Sequence, residues 1–172
     1  MNNSQAHEIT TISELEGLYD APSPRVAAKV QSYLEPFFMG IVGRATFAVL
    51  ATNGPTGIET SARGGPPGFI VAEDDRTLLL PDHIGNNRID SLRNIIDDPR
   101  VGLLFNSPDD RQIVRVKGLA TISRDPDLTR RFMEKDRVPK CVLIIRITAV
   151  LSQCQKAKVR AGMWSAAGVK KL

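Results

Sequence analysis

The chain has 172 residues, of which 42% are hydrophobic and 24% charged, with a formal net charge of +4; these are figures of one ordinary folded domain with a sizeable core. No apolar run approaches the roughly 20 residues needed to span a bilayer, and the opening MNNSQAHEITTISELEG lacks a basic segment followed by an apolar one, so a cytoplasmic location is expected. Two cysteines and two histidines are too few for a disulfide framework or a multi-histidine metal centre, and the basic residues are scattered among acidic ones, as in DRQIVRVKG, which argues against nucleic acid as a partner.

Thr10 or Thr11 is placed to cap a short helix through Glu14, Leu15 and Leu18. Ser23-Pro24 starts a second helix, with Val26, Val30, Leu34 and Phe37 recurring as one apolar stripe. The run ATFAVLAT, residues 45–52, reads as a strand, and the turn Asn53-Gly54-Pro55-Thr56-Gly57 leads into a second strand at about Ile58 to Ala62. GFIVA, residues 68–72, pairs with TLLL, residues 77–80, through the charged turn Glu73-Asp74-Asp75-Arg76. Asn86 or Asn87 opens a helix whose apolar face is Ile89, Leu92, Ile95 and Ile96, and Asp97-Asp98-Pro99 ends it.

A short strand follows from Arg100 to Phe105, and after Ser107-Pro108-Asp109-Asp110 a long one, RQIVRVKGLATIS. There Ile113, Arg115 and Lys117 point one way, Gln112, Val114 and Val116 the other, and Gly118 marks a bend or bulge. Asp125 or Asp127 caps a helix through Leu128, Phe132 and Met133; Pro139 then precedes the strand KCVLIIRITAVLSQ. Hairpin-joined strands with inserted rather than alternating helices predict a mainly β architecture, an antiparallel barrel with helices packed outside.

The chemistry concentrates between Ser61 and Arg88. Gly64 and Gly65 free the backbone, Pro66 and Pro67 fix its exit, and Arg63 and Arg88 flank one hairpin beside the start of a helix. Guanidinium groups and a helix N-terminus suit a phosphate; the alternative is a tight turn with solvent-exposed arginines. Cys141 reads as a buried small apolar residue and Cys154 as a free thiol. His83 reads as a polar loop residue, and no dedicated general base stands out.

With RGGPPGF, PDHIGNNRIDSLRN and DDRQIVRVKG in this order, residues 40–164 resemble the pyridoxamine 5′-phosphate oxidase-like FMN-binding split-barrel family. The resemblance implies an FMN-dependent oxidoreductase with its cofactor between the two subunits of a homodimer. It implies that Arg63 and Arg88 hold the phosphate, that Ser61, Gly64, Gly65, Asn86, Asn87 and Ser91 complete the cradle, and that Gln112 meets the flavin. Pro66, Pro67 and Gly68 would form part of the ring wall, while Lys156, Arg160 and Trp164 of the tail would complete the partner's site. Residues 1–39 would then be a helical segment packing on the barrel and 165–172 a terminal tail. Two departures count against vitamin B6 oxidation: no lysine follows Arg63 at the family's place, and the tail lacks histidine. Binding or sensing of a flavin, a deazaflavin or haem without turnover is the alternative, with His83 the first candidate for a haem ligand.

Overall fold

The computed structural model describes residues 7–27, 29–83, 85–107 and 110–163. Helix α1 (Ile12–Glu16) starts on a reciprocal cap: Thr11 Oγ1 accepts the Glu14 amide at 3.2 Å, and Glu14 Oε2 accepts the Thr11 amide at 3.0 Å. The single apolar helix expected through Val26, Val30, Leu34 and Phe37 is instead two helices, α2 (Pro24–Ala27) and α3 (Pro36–Arg44). Pro36 sets the start of the second, since a proline inside a helix removes a hydrogen bond and clashes with the preceding turn; here it sits at the first position of α3 after an extended Glu35. Of the expected stripe only Leu34 is buried, and Ile41 and Val42 form the buried face of α3.

The strands are β1 (Phe47–Gly54), β2 (Gly57–Gly64), β3 (Val71–Ala72) and β4 (Thr77–Asp82); α4 (Asp90–Asp97) follows, then β5 (Arg100–Asn106), β6 (Gln112–Ser123), α5 (Pro126–Arg130), β7 (Cys141–Cys154) and α6 (Lys156–Arg160). They form one antiparallel sheet in the order β2-β1-β5-β6-β7-β4-β3. This is the mainly β architecture with peripheral helices that the sequence predicts. Its buried side chains, among them Leu50, Leu80, Phe105, Val114 and Ile145, form one core cluster.

Gly118 marks an irregularity, as expected, but the extra residue is on its partner. Lys117 faces Ala149 and Gly118 faces Ile147, so Thr148 of β7 is the bulged residue. A Cβ at Gly118 would stand 2.7 Å from the Arg146 carbonyl oxygen and from Ile145 Cγ2; glycine is what lets β7 come so close.

Two features position the site. First, β2 and β4 lie towards opposite ends of the strand order, yet Arg63 Nη1 donates to Asp82 Oδ1 at 3.0 Å. The sheet therefore curls until its two ends share an ion pair. Second, α4 packs against β1, with Ile95 buried and Asn94 Nδ2 donating to Thr52 Oγ1 at 3.0 Å. The helix does not start at Asn86 or Asn87 as expected. Asn86 Oδ1 accepts the Arg88 amide at 3.0 Å, a local turn that competes with helix, and Asn87 and Ile89 adopt left-handed φ values of 61° and 50°. Of the predicted apolar face, Leu92 and Ile95 meet the core, whereas Ile89 and Ile96 are exposed.

Candidate cofactor pocket

A pocket of about 520 Å³ opens where the end of β2, the ends of β4 and β7 and the loop before α4 meet. The sequence-predicted Ser61, Arg63, Asn86, Asn87, Arg88 and Ser91 all line it. On β2, alternation puts Ser61 and Arg63 on the same face, two residues apart. Arg63 Nε donates to Ser61 Oγ at 3.3 Å, and Ser61 Oγ lies 3.2 Å from Ser91 Oγ on α4. On the opposite wall Lys140 Nζ donates to Asn87 Oδ1 at 3.3 Å, and Arg88 Nε donates to Asp90 Oδ2 at 2.8 Å. That bond to Asp90 raises the already high pKa of the Arg88 guanidinium.

Sequence reading missed five charged or thiol groups of this lining. Glu59, Asp82, Asp90, Lys140 and Cys141 are also wall residues. Asp82 and Asp90 were within reach of the sequence, because each lies beside a predicted strand end or helix start. Lys140 and Cys141 carry no local signal, since only the pairing of β7 with β4, which sets Cys141 opposite Asp82, brings them in. Burial pushes the Cys141 thiol up, Asp82 adds to the rise and Arg63 opposes it. The wall thus offers three carboxylates, from Glu59, Asp82 and Asp90, against three cations, from Arg63, Arg88 and Lys140. Such a balanced lining suits a ligand that presents an anionic group to the cations and hydroxyl or N–H donors to the carboxylates.

The remaining predicted residues lie elsewhere. Gly64 closes the β2 pairing opposite Phe47, and the Gly65 amide donates to the Thr46 carbonyl at 3.2 Å, so that amide is not available to a phosphate. Gln112 pairs with Cys154, at the other end of β7 from Cys141, and its Oε1 is buried without a hydrogen-bond partner. Lys156 and Arg160 are exposed on α6, outside the pocket, and Trp164 lies outside the described residues. Pro66, Pro67 and Gly68 line a separate cleft of about 200 Å³ with Phe69, Phe132 and Met133. The two cavities are neighbours, because Pro81 belongs to the cleft and Asp82 to the pocket. His83 is in the pocket wall, its Nε2 3.9 Å from Glu134 Oε1.

Lys158 of the same tail, expected with Lys156, Arg160 and Trp164 to lie on a ligand or a partner chain, is 2% exposed on α6, and its Nζ donates to the carbonyls of Ser107 and Asp110. This ties the end of the described chain to the loop between β5 and β6. Among the described residues no group of three or more His, Cys, Asp or Glu side chains is placed to hold a metal ion, and no helix is long and apolar enough to cross a membrane.

Comparison with known proteins identifies the family and the fold. The family model for pyridoxamine 5′-phosphate oxidase matches residues 34–154. No curated protein matches the chain in sequence. Among solved structures, HupZ of Group A Streptococcus is similar at 21% identity and a TM-score of 0.54, over 70% of this chain and 94% of its own. A Lactobacillus delbrueckii protein with a provisional pyridoxamine 5′-phosphate oxidase assignment is similar at 18% identity and a TM-score of 0.55, over 70% and 95%. General Stress Protein 26 of Bacillus anthracis is similar at 20% identity and a TM-score of 0.50, over 66% and 88%. At these identities the likeness shows the fold, a split barrel.

Proposed function

The chain belongs to the pyridoxamine 5′-phosphate oxidase family, and from that membership we propose that it is an FMN-dependent oxidoreductase acting on a small molecule. One observation carries the reading: Arg63, Arg88, Ser61 and Ser91 converge on one pocket at the start of α4, a helix whose N-cap residue makes no side-chain cap bond. The first amides of a helix lack intrahelical partners, and together with the helix dipole they favour an anion. In this proposal Arg63 and Arg88 hold the FMN phosphate, Ser61, Ser91, Asn86 and Asn87 support it, and the carboxylates of Asp82 and Glu59 accept from ribityl hydroxyls. In this proposal the cleft beside Pro66, Pro67, Phe132 and Met133 offers an apolar surface for the flat ring.

Bound flavin supplies the two-electron chemistry, and the protein supplies position and charge. The protein's part is to fix the phosphate end and present one ring face to a donor, which needs no protein nucleophile. Gln112, Lys156 and Arg160 stand outside the pocket of their own chain, so their proposed flavin contacts require a second subunit, in a homodimer with the site between chains. The absence of a lysine after Arg63 and of histidine after Cys154 keeps vitamin B6 phosphates outside the proposed substrates.

A second reading, a flavin, deazaflavin or haem carrier without turnover, is favoured by the pairing of Arg63 with Asp82 and of Arg88 with Asp90, and by the raised pKa of Cys141, which keeps that thiol protonated. The test is the visible spectrum of the purified protein, then a titration with FMN and anaerobic addition of a reduced nicotinamide. FMN binding with bleaching of the flavin band supports the oxidoreductase. FMN binding without bleaching supports the carrier, and no FMN binding rejects the phosphate assignment.

A further inference from the structure

We propose that residues 7–30 form an arm that docks on a second copy of this chain, across the outer face of strand β6, and that the exchange is reciprocal. The inference does not depend on the flavin assignment. Every residue of the arm whose burial is described is exposed, α1 has no buried residue, and the first described backbone bonds to the barrel are those of Gln31 with Val150.

An exposed polar tail would need no explanation, but this arm is rich in exposed apolar side chains. Ile9, Ile12, Leu15 and Leu18 recur every three residues, with Tyr19 beside them, and are 49%, 69%, 41%, 65% and 72% exposed. Taking about 200 Å² for each fully exposed residue, these five leave about 600 Å² of surface in water, at the upper end of the largest patch on an ordinary monomer. Val26 and Val30, 52% and 53% exposed, bring the total to about 800 Å², the share that one partner contributes to a standard interface.

Charge selects the partner. The arm carries Glu8, Glu14, Glu16 and Asp20, all within residues 8–20, against Arg25 and Lys29, a formal charge of −2. Since the whole chain carries +4, the remainder carries +6. A matching surface lies on β6, where Arg115 and Lys117 are exposed and Leu119 is 44% exposed. Leu104 of β5 and Leu151 of β7 flank Arg115 on the same face and are half-buried. One chain thus carries an acidic, apolar arm and a basic, apolar strip, and within that chain both stay uncovered. Two copies related by a twofold axis satisfy both at once and leave no open end.

The test uses the full chain in a Cys154→Ser background. Two differently tagged copies are co-expressed, one with Leu15→Cys and the other with Leu119→Cys, and oxidised gently. A covalent heterodimer on a non-reducing gel is the expected result, because a disulfide needs the two Cα atoms within about 7 Å. Adding Glu16→Lys and Asp20→Lys to the arm is expected to lower its yield several-fold. No heterodimer, or an internal cross-link in a chain bearing both cysteines, overturns the proposal.

Discussion

Replacing Arg63 by alanine separates a phosphate site from a chance cluster of polar residues. A guanidinium carries five N–H donors; in Arg63 one meets Asp82 at 3.0 Å and one faces Ser61 at 3.3 Å, leaving three for a ligand. Two charge-assisted bonds to phosphate oxygens at about 1.5 kcal/mol each make about 3 kcal/mol, or roughly a 100-fold loss of FMN affinity. The change also strands the Asp82 carboxylate, whose side chain is only 19% exposed, at a stability cost of about 1–2 kcal/mol. The double variant Arg63→Ala/Asp82→Asn removes that cost and should recover stability without recovering affinity. Asp82→Asn alone keeps the guanidinium, still offers a carbonyl oxygen to a ribityl hydroxyl and removes a negative charge from the pocket, so FMN should bind at least as tightly as to the parent. Flavin fluorescence quenching measures each Kd, and urea unfolding measures each stability. An Arg63→Ala protein that unfolds cooperatively and binds FMN within threefold of the parent would refute the phosphate seat.

Three further outcomes follow from the packing. Gly118→Ala should cost about 1–3 kcal/mol in urea unfolding, because its Cβ meets backbone 2.7 Å away at the β7 bulge and overpacking there forces the strands apart; a neutral result would mean that the bulge is soft. Lys158→Met keeps the volume but removes the bonds of a buried ammonium, those to the Ser107 and Asp110 carbonyls among them, with an expected loss of about 2 kcal/mol after allowing for the desolvation that methionine avoids; stability equal to the parent's would show that those carbonyls find water instead. Iodoacetamide at pH 8 should alkylate exposed Cys154 and spare Cys141, read by peptide mass. Because burial raises the Cys141 pKa in the folded state, the unfolded thiol ionises first, so stability is intact below about pH 8.5 and declines as pH rises through the folded value; equal labelling of both thiols would contradict that burial.

Periodicity made the strands legible and was less reliable for the helices. Alternation along QIVRVKG and the hairpin turn at Asn53 to Gly57 reported the sheet directly, because a period of two with one buried face admits little else. The stripe from Val26 to Phe37 misled because helical spacing says nothing of continuity, and Pro36 turned its last turn into the start of α3. In the pocket, the residues within one hairpin and its following loop were readable, since Arg63 and Arg88 are local neighbours of Gly64 and Asn87. Lys140 and Cys141 were not, because they arrive through a strand pairing more than fifty residues away, and no pattern within β7 reports which strand it will join. The arm was legible as a helix but not as exposed, because an amphipathic stripe signals burial without naming the surface that buries it.

The loop from Gly85 to Ile89 is where local preference and site geometry part company. A β-branched residue with φ of 50° is disfavoured by about 1–2 kcal/mol, yet Ile89 adopts it directly before α4 and contributes no side-chain cap. A serine or aspartate at that position would cap the helix and relieve the strain together. The chain holds the strained form through the Asn86 to Arg88 turn, the Lys140 to Asn87 bond and the Arg88 to Asp90 pair. All three contacts keep Asn87 and Arg88 on the pocket wall and leave the first amides of α4 without a side-chain acceptor. In the proposed function a phosphate bound there would supply the acceptor that Ile89 withholds. On that account the missing cap and the left-handed isoleucine have one cause, and the cost in the free protein is the condition for an anion to complete the helix end when it binds.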